Sequence, residues 1–548
     1  MPRLSRALAA AASVVAIGAL VAGCSGGSSG AGATGEPHEG GTLTYLEPQT
    51  WQTLYPPAGG FYPNGGVINN ITDRLLYQDP ETLELEPWIA SDWEVNDDAT
   101  EYTFTIRDGV TYSDGTPLDA ENVAANFDLF GLGDPDRALS VSEAINNYES
   151  SEVTGDDTVV FHFSAPSPGF AQATSTINSG LVSNSTLERT GDEFGPGNAA
   201  EIIGSGPFVV SDEQIGTQLS LEARDDYDWA PPSLDHQGRA YLDGIDYIVA
   251  GEDSVRVGTV TSGQADIARQ IEAPDEAQFD ADGLEIVAAA TNGVNNGLNF
   301  RFRNPLLSDI RVRQAIIAGI DRQAIIDTLF SDSYTLATGA LASTALGYVD
   351  TSDSYVYDED QANALLDEAG WELNGDGLRE KDGQTLTLTF NEALPQPRSR
   401  EVVTLIQEQL AKIGIGVELF PGDQAAQDEA RLSSDTIQVY HSMVGRADYD
   451  VLKSQYSGDN RNSLLNYDTS DESYGDQELQ DLLDEVASEP TEEGRAQASA
   501  DAQQRMADEA YILPLFEEPQ VFGLQSDVKD FSTESVGRPS FYATWLDR

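Results

Sequence analysis

One cysteine in 548 residues, Cys24, sets the first limit on this chain. A single thiol forms no internal disulfide, so the cysteine serves pairing with a partner or a chemistry of its own. The residues before it decide what the thiol is for. Arg3 and Arg6 are followed by the apolar run Ala7 to Val21, which is shorter than the ~20 residues a spanning helix needs and ends in small side chains. A charged start, a short greasy stretch and small residues form the pattern of a cleaved export signal.

Set directly after Val21-Ala22-Gly23, Cys24 resembles the lipobox cysteine of bacterial lipoproteins. That resemblance implies removal of residues 1–23 and acylation of Cys24 as the new first residue. One acyl chain anchors only marginally, so the several chains such proteins carry matter physically. Residues 24–40 are rich in Gly and Ser and form a flexible tether with a typical reach of roughly 22 Å. The expected location is therefore the outer face of the cytoplasmic membrane. Within the tether, Gly26 to Gly30 matches G-x-S-x-G but lacks the strand and helix that a nucleophile elbow requires.

Acidic residues number 93 against 29 basic ones, for a formal net charge of -64. No basic footprint for nucleic acid survives that balance. The acids are spread along the body, which reads as a solvated surface suited to salt, where screening tempers self-repulsion. Residues 41–548 are too many for one core, so two or three domains are expected.

Local patterns give an α/β chain. GTLTYLEP (41–48) alternates as a first strand, and Tyr102, Phe104 and Ile106 share one face of another. Asp119 is placed to cap a helix from Ala120. TVVFHFSAPSP (158–168), SGPFVV (205–210) and LDGIDYIVA (242–250) read as further strands. Beyond residue 300, Asp309 and Asp321 are placed to cap successive helices. Ala362, Leu365, Leu366 and Ala369 share a helical face that Gly370 ends, and a stripe from Val402 to Ile413 leads into the strand IGVELF. Helix into strand is the signature of an α/β layer.

Candidate chemistry is sparse. His38, His162, His236 and His441 have no partner at helical spacing, so no metal centre is expected. Asn374, Asp376 and Gly377 imitate the start of a calcium loop, but its twelfth position is Gly383 instead of glutamate. That stretch reads as a turn before the strand QTLTLTF. Ser526 to Lys529 fits S-x-x-K without its companion motifs. No catalytic set and no cofactor site assemble.

The block SDWEVNDDATEYTFTIRDGVTYSDGTPLDAENV resembles the N-terminal block of family 5 solute-binding proteins of ABC importers, the dipeptide- and oligopeptide-binding group. IIGSGPFVV, LEARDDYDW, NFRFRNPLLSDIRVRQAIIAGIDRQAII, AGWELNGDGLREKDG and RADYD follow in the family's order. The resemblance implies a periplasmic-binding-protein-like two-lobe α/β fold with an additional small domain and a hinge. Lobe I would comprise residues 41–75, 192–300 and 516–548, the small domain 76–191 and lobe II 301–515. It also implies a monomeric receptor that binds a peptide or another small solute between the lobes and delivers it to permease subunits. A lipoprotein hydrolase acting on cell-wall peptides is the rival reading. It would need a nucleophile with a base or a metal.

The resemblance further implies site residues. Asp448, in the A-D-Y motif, would pair with a peptide's free α-amino group. Gly445 stands where peptide receptors often have tryptophan, and Arg446 beside it offers a bidentate clamp for a carboxylate. Asn295 and Asn296, flanked by Gly293 and Gly297, would contact the ligand main chain. The cargo class stays open between peptides and solutes such as opines, metal chelates and sugars.

Overall fold

Period-two burial builds the first large sheet. In the strand Thr42–Glu47, Leu43 and Tyr45 are fully buried, and the strand pairs in parallel with Gly244–Val249 on one side and Ile267–Arg269 on the other. Antiparallel additions complete seven strands, in the order Leu284–Ala289, Gln520–Gln525, Ile267–Arg269, Thr42–Glu47, Gly244–Val249, Gln218–Ala223 and Phe208–Gln214. The computed structural model describes residues 35–394, 396, 398–458, 463–468 and 472–548, and Pro37–Arg548 forms one compact unit. Cys24 and the leader lie outside the described residues. Among those described, no helix is long and apolar enough to cross a membrane.

A second, six-stranded sheet runs in the order Thr335–Leu336, Ile512–Glu517, Gly293–Phe300, Val439–Gly445, Thr387–Phe390 and Gly416–Leu419. Helices with locally encoded starts pack around it. The Asp309 carboxylate accepts from the Arg311 N–H to open Ile310–Ala318, and Asp321 accepts from Ala324 to open Arg322–Leu329. Helix Ser399–Lys412 buries Val402, Val403, Ile406 and Leu410 in the same core as Leu388 and Phe390. The two large sheets define two lobes.

A smaller sheet, Ala90–Val95, Glu101–Ile106, Thr158–Phe163 and Tyr148–Val153, buries Tyr102, Phe104 and Ile106 on one face. Helix Ala120–Leu132, capped by Asp119 through the Asn122 N–H at 2.9 Å, adds Phe127 to an aromatic cluster with Phe104, Phe161 and Phe170.

Two expected strands are corrected. The strand drawn over 158–168 stops at Phe163, because Pro166 and Pro168 offer no N–H to a ladder. QTLTLTF divides: Gln384–Thr385 belongs to a three-stranded hairpin with Arg379–Lys381, whereas Thr387–Phe390 joins the large sheet. The break falls at Leu386, which is fully buried and whose N–H donates to the Arg379 carbonyl. In the calcium-like turn the Asn374 side-chain oxygen is taken by the backbone N–H groups of Asp376 and Leu378.

Candidate functional site

Only residues 290–292 separate Leu284–Ala289 in one large sheet from Gly293–Phe300 in the other, and only Glu518 and Pro519 separate Ile512–Glu517 from Gln520–Gln525. The strands flanking the two linkers pair with each other on both sides, Ala289 with Gln520 and Asn296 with Phe516. The lobes are thus joined by a narrow antiparallel ribbon, a geometry suited to a hinge. Asn292 ties its partners down: its amide donates to the Ser535 carbonyl at 2.6 Å, and its side-chain oxygen accepts from Thr344 at 2.7 Å.

Beside this ribbon lies a cleft of about 760 Å³. Its wall draws Tyr62, Arg269 and Gln520 from one lobe and Asn391, Tyr440 and Arg446 from the other, with Ser140 to Ala144 (except Ser142) closing an end. Binding sites for small molecules typically span about 300–1,000 Å³. The volume therefore suits a short peptide or a comparable solute.

Strand Val439–Gly445 carries the inner wall. Gly293 opposite it has φ 127°, and a Cβ there would lie 2.2 Å from the Val444 carbonyl oxygen, so only glycine fits. A Cβ on Gly445 would come within 3.0 Å of Thr291 Cγ2. This position packs on the linker with no room to spare. Arg446 follows, 9% exposed, with its Nε paired to the carboxylate of Asp448, which is 4% exposed. Arg446 lines the cleft; Asp448 stands in contact with it without itself lining the wall. Burial would push the Arg446 guanidinium down, but Asp448 and Asp450 outweigh it and hold it above the ordinary value. Two atoms of this pair, Arg446 Nη2 and Asp448 Oδ1, are buried without a hydrogen-bond partner.

The same segment reaches across the cleft. Gln78 donates to the Ala447 carbonyl at 3.0 Å and accepts from Ser535 at 2.8 Å, while the Asn146 amide lies 3.3 Å from Asp450 Oδ2. Asp450 is in turn paired with the buried Arg495.

Strand alternation separates the two asparagines. Asn295 gives its amide to the carbonyls of Gly339 and Leu341, at 3.0 and 2.7 Å, and lines a separate small cavity. Asn296 turns toward the cleft wall. Its amide donates to Glu518 Oε2 at 2.9 Å, and its oxygen accepts from His441 Nε2 at 2.6 Å. His441 Nδ1 accepts from Ser399, whose oxygen takes the Ala393 N–H. Burial drives His441 down to about 4, so the ring is neutral. Glu518 is pushed up to about 7, chiefly by burial, although the Asn296 bond opposes the shift. The structure thus places Gly445 and Arg446 on the cleft wall, sets Asp448 behind Arg446 and Asn296 behind Glu518 and His441, and directs Asn295 away from it.

Residues 84–467 match the model of bacterial extracellular solute-binding proteins, family 5 middle region. The chain belongs to this family. Its cleft is accordingly the cleft of a solute-binding protein. The oligopeptide-binding protein AppA of Bacillus subtilis (strain 168) is 27% identical over 437 residues, covering 76% of each chain. The solved structure of AppA in complex with a nonapeptide superposes with a TM-score of 0.75 at 22% identity, covering 94% of this chain and 100% of that one. NikA from Brucella suis, solved with Fe(III)-EDTA, gives a TM-score of 0.77 at 22% identity, with 92% and 100% covered. These likenesses establish the two-lobe periplasmic-binding-protein fold.

Sequence reasoning did not single out Glu272, Glu518, Tyr334 or His441 as parts of this wall. Glu518 is separated from Asn296 by 222 positions, and nothing in the local pattern EEPQ marks it. The one available signal was the shortness of the break between two apolar strands, ILPLFE and QVFGLQ.

Proposed function

We propose that this chain is the membrane-tethered receptor of an ABC importer, which captures a peptide between its lobes and delivers it to a permease. The observation that carries the reading is the cleft set against a two-linker hinge. At its inner wall the free Nη2 of Arg446 offers a donor to a solute carboxylate, and the free Oδ1 of Asp448 offers an acceptor to an α-ammonium. Both would be charge-assisted bonds in a site withdrawn from water. Gly445 completes this contact wall, Asn296 backs it through Glu518 and His441, and Asn295 supports it through the 339–341 backbone. The binding of oligopeptides by AppA supports the cargo class, and the chelate on NikA marks the non-peptide alternative.

The receptor is a monomer and no enzyme; ATP is hydrolysed by the transporter's own subunits. Of the expected grouping, residues 41–75, 192–289 and 520–548 are assigned to lobe I, 76–191 to its small domain and 293–517 to lobe II; the expected limits at 300 and 516 shift to the two linkers because Gly293–Phe300 and Ile512–Glu517 are strands of the six-stranded sheet. The grouping is supported by the seven-stranded sheet, whose strands all come from the lobe I stretches. Lipid on Cys24 holds the body at the outer face of the cytoplasmic membrane.

One experiment tests both capture and anchoring. Wild type and Cys24→Ser are expressed in a lipoprotein-processing bacterium, fractionated, purified, incubated with a tripeptide mixture and gel-filtered. Wild type should be recovered from membranes and Cys24→Ser from the soluble fraction or as unprocessed precursor, each retaining about one unaltered peptide per chain. A lipid-modified, membrane-held Cys24→Ser protein would remove the anchor. Shortened peptides would remove the receptor reading, and no peptide retained by either protein would remove peptides as the cargo.

A further inference from the structure

Every arginine lining the cleft is already matched by a carboxylate: Arg269 by Glu47, Arg431 by Asp428, Arg446 by Asp448 and Arg538 by Glu534. Two carboxylates on the wall, Glu272 and Glu518, have no ion-pair partner among the described residues. They approach from different elements. Glu272 follows the strand Ile267–Arg269, and Glu518 belongs to the second linker.

Glu518 is 7% exposed, and only its Oε2 is engaged, by Asn296; Oε1 has no hydrogen-bond partner among the described residues. Asn296 is held at both ends, its oxygen by His441 Nε2 and its amide by Glu518 Oε2. Tyr334 lines the same wall and lies within electrostatic reach of both carboxylates, and of Glu276 and Arg398. Arg269 and Arg398 act on Glu518 and Glu272 respectively without reaching ion-pair distance. A buried carboxylate left without a counter-charge is costly, and a cation supplied from outside repays that cost.

We propose that Glu518 and Glu272, with Tyr334 beside them, form a subsite for a cationic group of the solute, such as the ammonium or guanidinium of a lysyl or arginyl side chain. The proposal rests on the reading of the cleft as the solute site and names the chemistry that site selects. Binding there ionises Glu518, so capture of a cation releases a proton near neutral pH.

Calorimetry on the full mature chain, stripped of cargo by reversible unfolding, tests this with three probes: Ala-Lys-Ala, Ala-norleucine-Ala and Ala-Glu-Ala at pH 8. The lysyl peptide should bind at least about 30-fold more tightly than its uncharged norleucyl counterpart. Glu518→Gln, and independently Glu272→Gln, should remove most of that preference, read as the ratio of lysyl to norleucyl affinity within each variant. A norleucyl peptide that binds as well as the lysyl one overturns the subsite and leaves the receptor reading intact. If none of the three binds, the peptide reading falls, and the mass of the cargo released on unfolding decides: a basic cargo sustains the subsite, a cargo without a basic group overturns it.

Discussion

Asp448→Ala will lower the unfolding free energy of the cargo-free protein by about 3–5 kcal/mol, because it strands the Arg446 guanidinium in the wall of the cleft. Arg446 is 9% exposed, and its Nε has Asp448 as its only hydrogen-bond partner. Its next nearest acid, Asp450, is already engaged by Arg495. Urea unfolding at pH 7 measures the loss; a change below about 1 kcal/mol, the size seen for exposed pairs, would mean that Arg446 finds another partner or water. The same side chain carries the affinity prediction. A free-amine peptide should lose roughly 30-fold or more on N-acetylation in the wild type. In Asp448→Asn, which keeps the volume and lets the protein fold, the two forms should bind alike. Equal affinities of both forms for the wild type would contradict the role of Asp448 as the amine anchor.

Glu518→Gln should act through pH. The Glu518 carboxyl is raised from 4.5 to about 7, mainly by burial. Between those values the folded protein holds a proton that the unfolded chain releases. The contribution of this group is thus fully present below pH 4.5 and is lost as pH rises through 7, which amounts to about 3 kcal/mol over the window. Glutamine stays neutral and still accepts from Asn296, so the variant should gain about 3 kcal/mol on the wild type at pH 8 and almost nothing at pH 4.5. His441 works in the other sense. Its value is depressed from 6.5 to about 4, so its contribution is present above pH 6.5 and lost as pH falls through 4, in both proteins alike. Denaturant titrations of the two proteins across this range separate the effects. A wild-type-to-variant difference that does not change with pH would contradict the buried, unpaired state of Glu518.

What could be read from sequence was what short-range chemistry decides. Asp119, Asp309 and Asp321 cap helices because a cap needs only a carboxylate and the next two or three N–H groups. Tyr102, Phe104 and Ile106 share a buried face because alternation alone puts them there. The wall of the cleft is different. Asn295 and Asn296 look equivalent in ATNGVNNGLNF, and the strand sends their amides to opposite sides. Arg446 and Asp448 are two residues apart, yet their pairing in a buried wall depends on Gly445 packing against Thr291 and on Gln78 and Asn146 meeting the segment from across the cleft. Glu272 and Glu518 are exceptional only for the counter-charges they lack, which becomes visible when all the cleft arginines and their partners are in place. Long-range pairing of this kind leaves no local trace.

Hinged capture is the centre of the account: two lobes joined by residues 290–292 and 518–519 close over a solute held at the wall that carries Arg446, with Asp448 paired behind it. Small-angle X-ray scattering of the stripped protein, alone and with a saturating amount of the cargo recovered from membrane-purified material, tests it most directly. The account predicts a smaller radius of gyration and a shorter maximum dimension on loading, with the change lost in Asp448→Asn at the same cargo concentration. Superimposable curves for free and fully loaded wild-type protein would contradict it.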